Sequence, residues 1–194
     1  MEHGIITISR QYGSGGRLIG EKLAERLHIP FYDKEIIELS AKQSDVSGNF
    51  FSQPEKSGNY ILRDFFSGIP LEMPISDKIY LAQYAVISAL AKNGPCVIVG
   101  RGAGAALNGV VPLLNIFIYA DIETRKRRAI EEYGDNPQKI EEHIASIDKK
   151  RASYFRFYTG MNGKEMENYH LCIDSGKIGI EGAVAAIEML YLLK

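Results

Sequence analysis

Ile5-Ile6-Thr7-Ile8-Ser9 runs straight into Arg10-Gln11-Tyr12-Gly13-Ser14-Gly15-Gly16-Arg17, and the apolar residues Leu18, Ile19, Leu23, Ala24 and Leu27 follow at mixed spacings of three and four. A short β-branched run without alternation is what a parallel strand buried on both faces requires. The three- and four-residue spacing after the glycines is that of a helix with one apolar face. Strand, glycine-rich turn and helix in that order open a βαβ unit. Glycines let backbone N–H groups turn inward around an anion, and the helix start adds about half a positive charge. The same turn also serves as a plain structural device, so alone it leaves both readings open.

The pattern continues along the chain. Ile29-Pro30-Phe31-Tyr32 reads as a second strand and 34–43 as a helix carrying Ile36, Ile37 and Leu39. Over 44–74 Gly, Ser, Asn and Pro recur around the pairs Phe50-Phe51 and Phe65-Phe66, which reads as an insertion with a turn or two of helix near 60–66. A helix over 77–93 places Ile79, Ala82, Val86 and Leu90 on one stripe, and Asn93-Gly94-Pro95 stops it. Strands follow at 96–100, 113–119 and 171–174. Asp121 caps a basic helix, 137–157 is a long charged helix with His143, Ile144 and Ile147 on its apolar side, and 180–193 closes the chain as an amphipathic helix. Strands alternating with helices predict an α/β fold, a doubly wound parallel sheet of about five strands in a single domain over 1–194.

Composition bounds the partners. The chain has 194 residues and a net charge of −1, so no bulk field draws it to nucleic acid or to an anionic membrane. Anion binding must come from local placement. No apolar stretch reaches the length of a membrane span and no signal-peptide core opens the chain, which predicts a cytoplasmic protein. Cys96 and Cys172 sit in apolar runs, without a C-x-x-C pair or a histidine cluster, and read as buried thiols rather than metal ligands.

Ligands of an open parallel sheet bind outside the carboxyl ends of its strands. Three such ends here are rich in glycine or cations. The first is the loop Gly13, Ser14, Gly15, Gly16, Arg17, Leu18. The second is Gly100-Arg101-Gly102, where an arginine can grip a phosphate with two donors. The third is Glu123-Thr124-Arg125-Lys126-Arg127-Arg128, in which Arg125 and Arg128 share a face and Arg127 points elsewhere. Lys149-Lys150-Arg151 on the next helix could close over the same anion. The bland alternatives are a turn arginine and a solvated basic face.

Taken together, these segments resemble the cytidylate-kinase-like branch of the P-loop nucleoside-monophosphate kinases. The resemblance rests on Ile5 to Arg17 as strand and phosphate loop, Phe31-Tyr32-Asp33 as second strand and opening Asp, and Val97 to Gly102 as the strand ending in Gly-Arg. It continues through Ile116 to Arg128 as strand and basic helix, and Leu171 to Ser175 as the last strand. It implies ATP with Mg²⁺ along residues 13–18 and an acceptor's phosphate on Arg101. Asp33 would lie at the ribose or base, with the 44–74 segment as a helical acceptor-side insertion. A short lid over about 125–160 would carry Arg125, Arg128, Lys150 and Arg151. It further implies a small phosphorylated acceptor, CMP in the family's own case, with no nucleic acid or membrane partner and no protein-held metal. The apolar insertion leaves room for a homodimer.

The departures are local. The superfamily's loop reads G-x-x-x-x-G-K-[ST], whereas this one has Arg10 at the first Gly, Gly16 at the Lys, and Arg17 then Leu18 where a hydroxyl would meet the metal. Val99 precedes Gly100-Arg101 where an acid often stands, and Glu38-Leu39 replaces an aromatic-Arg pair. Arg17 is the nearest cation able to stand in for the lysine, in which case Gly16→Lys would be tolerated. A helix rotates about 100° per residue, however, and could equally turn Arg17 to solvent. Two principal functions follow. One is a phosphotransferase moving the ATP γ-phosphoryl group. The other is a nucleotide-binding module whose degenerate loop does not turn over. A third, an interaction protein built on the aromatic pairs, has less behind it.

Overall fold

The computed structural model describes residues 4–34 and 74–193. The expected 34–43 helix beyond Lys34, and the 44–74 insertion short of Pro74, lie outside the described residues. Five strands, β1 (Ile5–Arg10), β2 (Phe31–Tyr32), β3 (Val97–Val99), β4 (Leu113–Tyr119) and β5 (Leu171–Asp174), form one parallel sheet in the order β2-β3-β1-β4-β5. Thr7 pairs with Ile98 on one side and Asn115 on the other, so β1 lies at the centre. The helices are α1 (Gly16–Leu27), α2 (Ile75–Lys92), α3 (Ala103–Leu107), α4 (Ile122–Glu131), α5 (Ile140–Thr159) and α6 (Ser175–Leu192).

Successive strand residues face opposite sides of a sheet, which divides the continuous apolar runs between two cores. Ile5 and Ile98 pack with Ala82, Val86, Ile87 and Leu107 under α2 and α3. Ile6, Ile8, Val97, Val99, Ile116 and Ile118 pack against Ile19 and Leu23 of α1 and Ala183, Val184 and Ile187 of α6. Burying each such side chain contributes about 1.5–3 kcal/mol, and the two-sided burial is what a parallel sheet needs. Polar residues inside are bonded: Thr7 donates to Asn115 Oδ1 at 2.8 Å, and Asn115 Nδ2 to the carbonyl of Asn168 at 2.7 Å.

Some expected boundaries shift. Ile79 is 47% exposed, and Ala82, Ala85, Val86, Ile87 and Ala91 form the buried stripe of α2 instead. The residues after Gly102 form a short helix, α3, which the spacing does not predict. Helix α6 starts at Ser175, five residues early, because Asp174 accepts a hydrogen bond from the Gly176 N–H; Gly179 (φ 72°, ψ 176°) then breaks it. Helix α5 begins at Ile140 and buries Ile140 and Ile144, while His143 is exposed. Cys96 is buried and Cys172 half-buried, both as free thiols, and burial pushes the Cys96 thiol up to about 11. Among the described residues no helix is long and apolar enough to cross a membrane.

Chain order along the sheet reverses at β1: β2 and β3 lie to one side, β4 and β5 to the other. The carboxyl end of β1 is therefore the switch point at which an open parallel sheet forms its ligand crevice.

Candidate functional site: an arginine-lined cleft beside a clamped loop

The β1–α1 loop closes tightly on the strand ends. Ser14 is fully buried, its N–H and hydroxyl both bonded to the Gln11 carbonyl, and Gly13 and Gly15 take left-handed φ of 76°. The start of α1 is thereby set against the end of β1, and residues 13–18 are not among those that line the adjoining cleft.

Two arginines hold the loop from behind. Arg128 donates to the Ser14 carbonyl and to Ser175 Oγ, each at 3.0 Å, and to the Ser175 carbonyl at 3.0 Å, while the Ser175 hydroxyl donates to the Ser14 carbonyl at 2.6 Å. Arg125 donates to the Tyr12 carbonyl at 2.7 Å and pairs with Asp148, whose other oxygen accepts from the Tyr12 N–H at 2.8 Å. Tyr12 also donates its hydroxyl to Asp135 at 2.7 Å. Burial first, and then the Asp135 bond, push this phenol up to about 12.

In front of the loop lies a cleft of about 680 Å³ between the carboxyl ends of the strands and α5. Among the described residues its cations are Arg10, Lys34, Arg101, Lys150, Arg151 and Lys164, and its one carboxylate, Asp148, is engaged with Arg125 and Tyr12. Arg101 has a left-handed backbone (φ 55°) between Gly100 (φ 86°) and Gly102 (φ 68°), and its guanidinium lies 5.4 Å from the Tyr154 ring centre. A non-glycine residue held there costs on the order of 1–3 kcal/mol, and such strain is concentrated where function needs a side chain aimed. Arg151 donates to the Arg10 carbonyl at 3.3 Å and sits 5.5 Å from the Tyr12 ring centre. Burial, and then the fields of Arg151 and Arg101, push the Arg10 guanidinium down to about 9. Burial likewise lowers Arg151. Lowered to about 9, the Arg10 guanidinium is still charged at neutral pH, and with its neighbouring cations it makes the cleft a concentrated positive site.

The expected site residues separate accordingly. Arg101, Lys150 and Arg151 converge on the cleft. Arg125 and Arg128 do not line the cleft: they are 7% and 5% exposed and bonded to loop carbonyls. Arg127 does point outward, 3.8 Å from Glu131. Arg17 does not curl over the glycines; its Nε donates to Asp33 at 2.8 Å and its Nη1 to Glu21 at 3.3 Å. Asp33 is thus buried against Arg17 and does not line the cleft. Leu18 is half-buried and offers no polar atom. Gly16 has no room for a lysine, because a Cβ there would lie 2.7 Å from Arg10 Cβ and 3.0 Å from its Cγ. Arg10 itself was legible only as a departure from the loop pattern, and the swap of Arg10 with Gly16 was the signal that could have placed it.

The donor set also speaks to magnesium. Residues 17 and 18 offer no hydroxyl at the loop, and among the described residues no group of His, Cys, Asp and Glu could hold a metal ion. These residues do not fit a protein-held Mg²⁺.

The profile of the cytidylate kinase-like family matches residues 5–177. Among solved structures, an uncharacterized protein from Eubacterium ventriosum is similar at 27% identity and a TM-score of 0.76, over 98% of this chain and 99% of that one. Shikimate kinase from Bacteroides thetaiotaomicron aligns over 98% and 99% of the two chains at 15% identity and TM-score 0.54. Shikimate kinase from Acinetobacter baumannii, solved in complex with shikimate, aligns over 100% and 97% at 15% identity and TM-score 0.55. These last two show a shared fold. No curated protein matches the chain.

Proposed function

Since the chain belongs to the cytidylate kinase-like family, we propose that it transfers the terminal phosphoryl group of ATP to a small anionic acceptor bound in the cleft. The observation that carries this is the convergence of Arg10, Arg101 and Arg151, with Lys150, on one cleft beside the loop, where the sole carboxylate among the described residues is already committed. Like charge brought together in a partly buried space is stabilised when an anion enters it.

Chemistry of this kind asks for positioning and charge neutralisation more than for covalent participation. The triphosphate lies along the Gly13–Leu18 loop, against the first N–H groups of α1. Arg101 takes the acceptor's anionic group with two parallel donors. Arg151 and Lys150, on α5, approach from the opposite wall and exclude water from the transferring group. Arg125 and Arg128 contribute by fixing the loop's carbonyls, which holds its N–H groups aimed at the phosphates. A phosphate acceptor is already ionised and needs no general base, and among the described residues no histidine and no uncommitted carboxylate lines the cleft. Mg²⁺ enters with ATP. Nucleoside monophosphates, CMP among them, and small carboxylic acids of the kind held by the Acinetobacter kinase are the acceptor classes to try.

A coupled ADP-release assay with ATP-Mg²⁺ against nucleoside monophosphates, phosphorylated sugars and hydroxy acids tests this. Turnover with one class and silence with the others is expected. The missing lysine and hydroxyl favour one second reading, a nucleotide-binding module; ATP binding by calorimetry without ADP release from any acceptor would establish it instead.

A further inference from the structure

We propose that Arg10, at the end of β1, supplies the phosphate-directed charge that position 16 lacks, so that this loop is a lysine-to-arginine relocation rather than a degenerate phosphate site. The inference deepens the phosphotransferase reading and rests on it for the identity of the ligand.

Two glycines are shaped around this one side chain. A Cβ on Gly16 would meet Arg10 Cβ at 2.7 Å, and a Cβ on Gly100 would meet Arg10 Nη1 at 2.2 Å. The Arg10 side chain therefore leaves the strand, crosses the first residue of α1 and lays its guanidinium against the Gly100 turn, on the cleft wall. A lysine at residue 16 would start from the place that the Arg10 stem occupies. The exchange is thus coupled: with arginine at 10, only glycine fits at 16.

The protein also shows what its structural arginines look like. Arg125 is bonded to a carbonyl and a carboxylate, and Arg128 to two carbonyls and a hydroxyl. Among the described residues no carboxylate forms an ion pair with Arg10; its charged neighbours include Arg151 and Arg101, and the one nearby carboxylate whose field acts on it, Asp33, is itself bonded to Arg17. A half-buried guanidinium held beside two others, with two glycines clearing its path, is arranged for an anion that arrives. Because it borders both the α1 N-terminus and the Arg101 turn, that anion is the donor's terminal phosphate, poised between the two sites.

The test is a swap read by calorimetric titration of ATP-Mg²⁺, with thermal melting of every variant. Arg10→Met should weaken ATP binding about tenfold to a hundredfold, as loss of a charge-assisted contact does, and Arg10→Lys should recover much of it. Gly16→Lys alone should bind no better than Arg10→Met, because the two stems collide. Arg10→Gly combined with Gly16→Lys, which restores the usual loop, should bind within a few-fold of the parent and better than Arg10→Gly alone. ATP affinity in a folded Arg10→Met within threefold of the parent overturns the proposal, as does a folded double variant no better than Arg10→Gly. If the double variant does not fold, the comparison of Arg10→Met with Arg10→Lys decides: equal affinities overturn it. The two readings fail separately. A parent enzyme that turns over an acceptor while Arg10→Met keeps full ATP affinity removes only this inference. A parent that binds ATP through Arg10 yet phosphorylates nothing supports the inference and removes the phosphotransferase.

Discussion

Arg17 Nε donates to Asp33 Oδ2 at 2.8 Å, which ties the first turn of α1 to the end of β2 and turns the guanidinium away from the phosphate loop. The Arg17 side chain is 57% exposed and the Asp33 side chain only 7%. The pair therefore screens a buried carboxylate and leaves the ligand to other cations. Arg17→Ala should lower stability by about 1 kcal/mol, the effect of removing a half-exposed partner, and should leave ATP affinity within about threefold of the parent. Urea unfolding and calorimetry read the two effects apart. A loss of ATP affinity near a hundredfold would return Arg17 to the phosphates.

The buried pair behind the loop behaves differently. Arg128→Ala strips hydrogen bonds from Ser14 and Ser175 and should reduce stability by about 2–4 kcal/mol, with nucleotide binding lost as the loop loosens. Lys150→Ala, on the exposed side of α5, should lower kcat with no change in the urea midpoint. Unchanged stability in Arg128→Ala would mean that the side chain acts on the ligand directly.

Gly100 and Gly102 provide a matched comparison. Both have positive φ, 86° and 68°, so an alanine at either strains the backbone by about 1 kcal/mol. Only at Gly100 does the added methyl meet Arg10; at Gly102 the nearest atom is Thr159 Cγ2 at 3.7 Å. Gly100→Ala should reduce ATP affinity as Arg10→Met does, because the flexible guanidinium swings aside, whereas Gly102→Ala should lose stability alone. Equal affinities for the two would detach Arg10 from the phosphate site.

The strands were readable because their chemistry is local. Leu113–Tyr119 and Leu171–Asp174 are runs of apolar residues that only a sheet buried on both faces accommodates, and Asp121 caps α4 as its sequence position demands, accepting from the Thr124 N–H. Side-chain direction at the site was not local. Arg17 and Arg10 are neighbours of the same loop in sequence, but the choice between them depends on Asp33 from β2 and on the space at Gly100 from β3. Arg125 and Arg128 were legible as sharing a face; that this face meets the carbonyls of Tyr12 and Ser14, and not solvent, is a fact of packing. Similarly, α6 starts early because Asp174 offers a cap, and its break at Gly179 hides the periodicity before Ile180.

Arg10 also predicts a pH dependence. In the ligand-free protein its guanidinium is lowered to about 9, chiefly by burial. A base lowered on folding costs stability while it is charged, and that cost is relieved as pH rises above about 9 toward the unfolded value. A bound anion restores the charged form, so the rise in melting temperature given by pyrophosphate should be full at pH 7–8 and shrink above about 9. Pyrophosphate loses its last proton in the same range, which by itself would strengthen binding, so a decline belongs to the protein, and Arg10→Met should remove it. An identical decline in Arg10→Met would show that Arg10 is not its source.

Transfer of the phosphoryl group is the claim on which the rest depends, and ³¹P nuclear magnetic resonance of ATP-Mg²⁺ with each acceptor reads it directly. The account predicts that one acceptor class converts the γ-phosphate signal into a new phosphorylated product in step with ADP. It also predicts that Arg101→Ala raises the acceptor KM by about tenfold to a hundredfold while changing the ATP KM less than threefold. Intact ATP in the presence of every acceptor, or conversion to inorganic phosphate alone at a rate that ignores both the acceptor and Arg101, would contradict it.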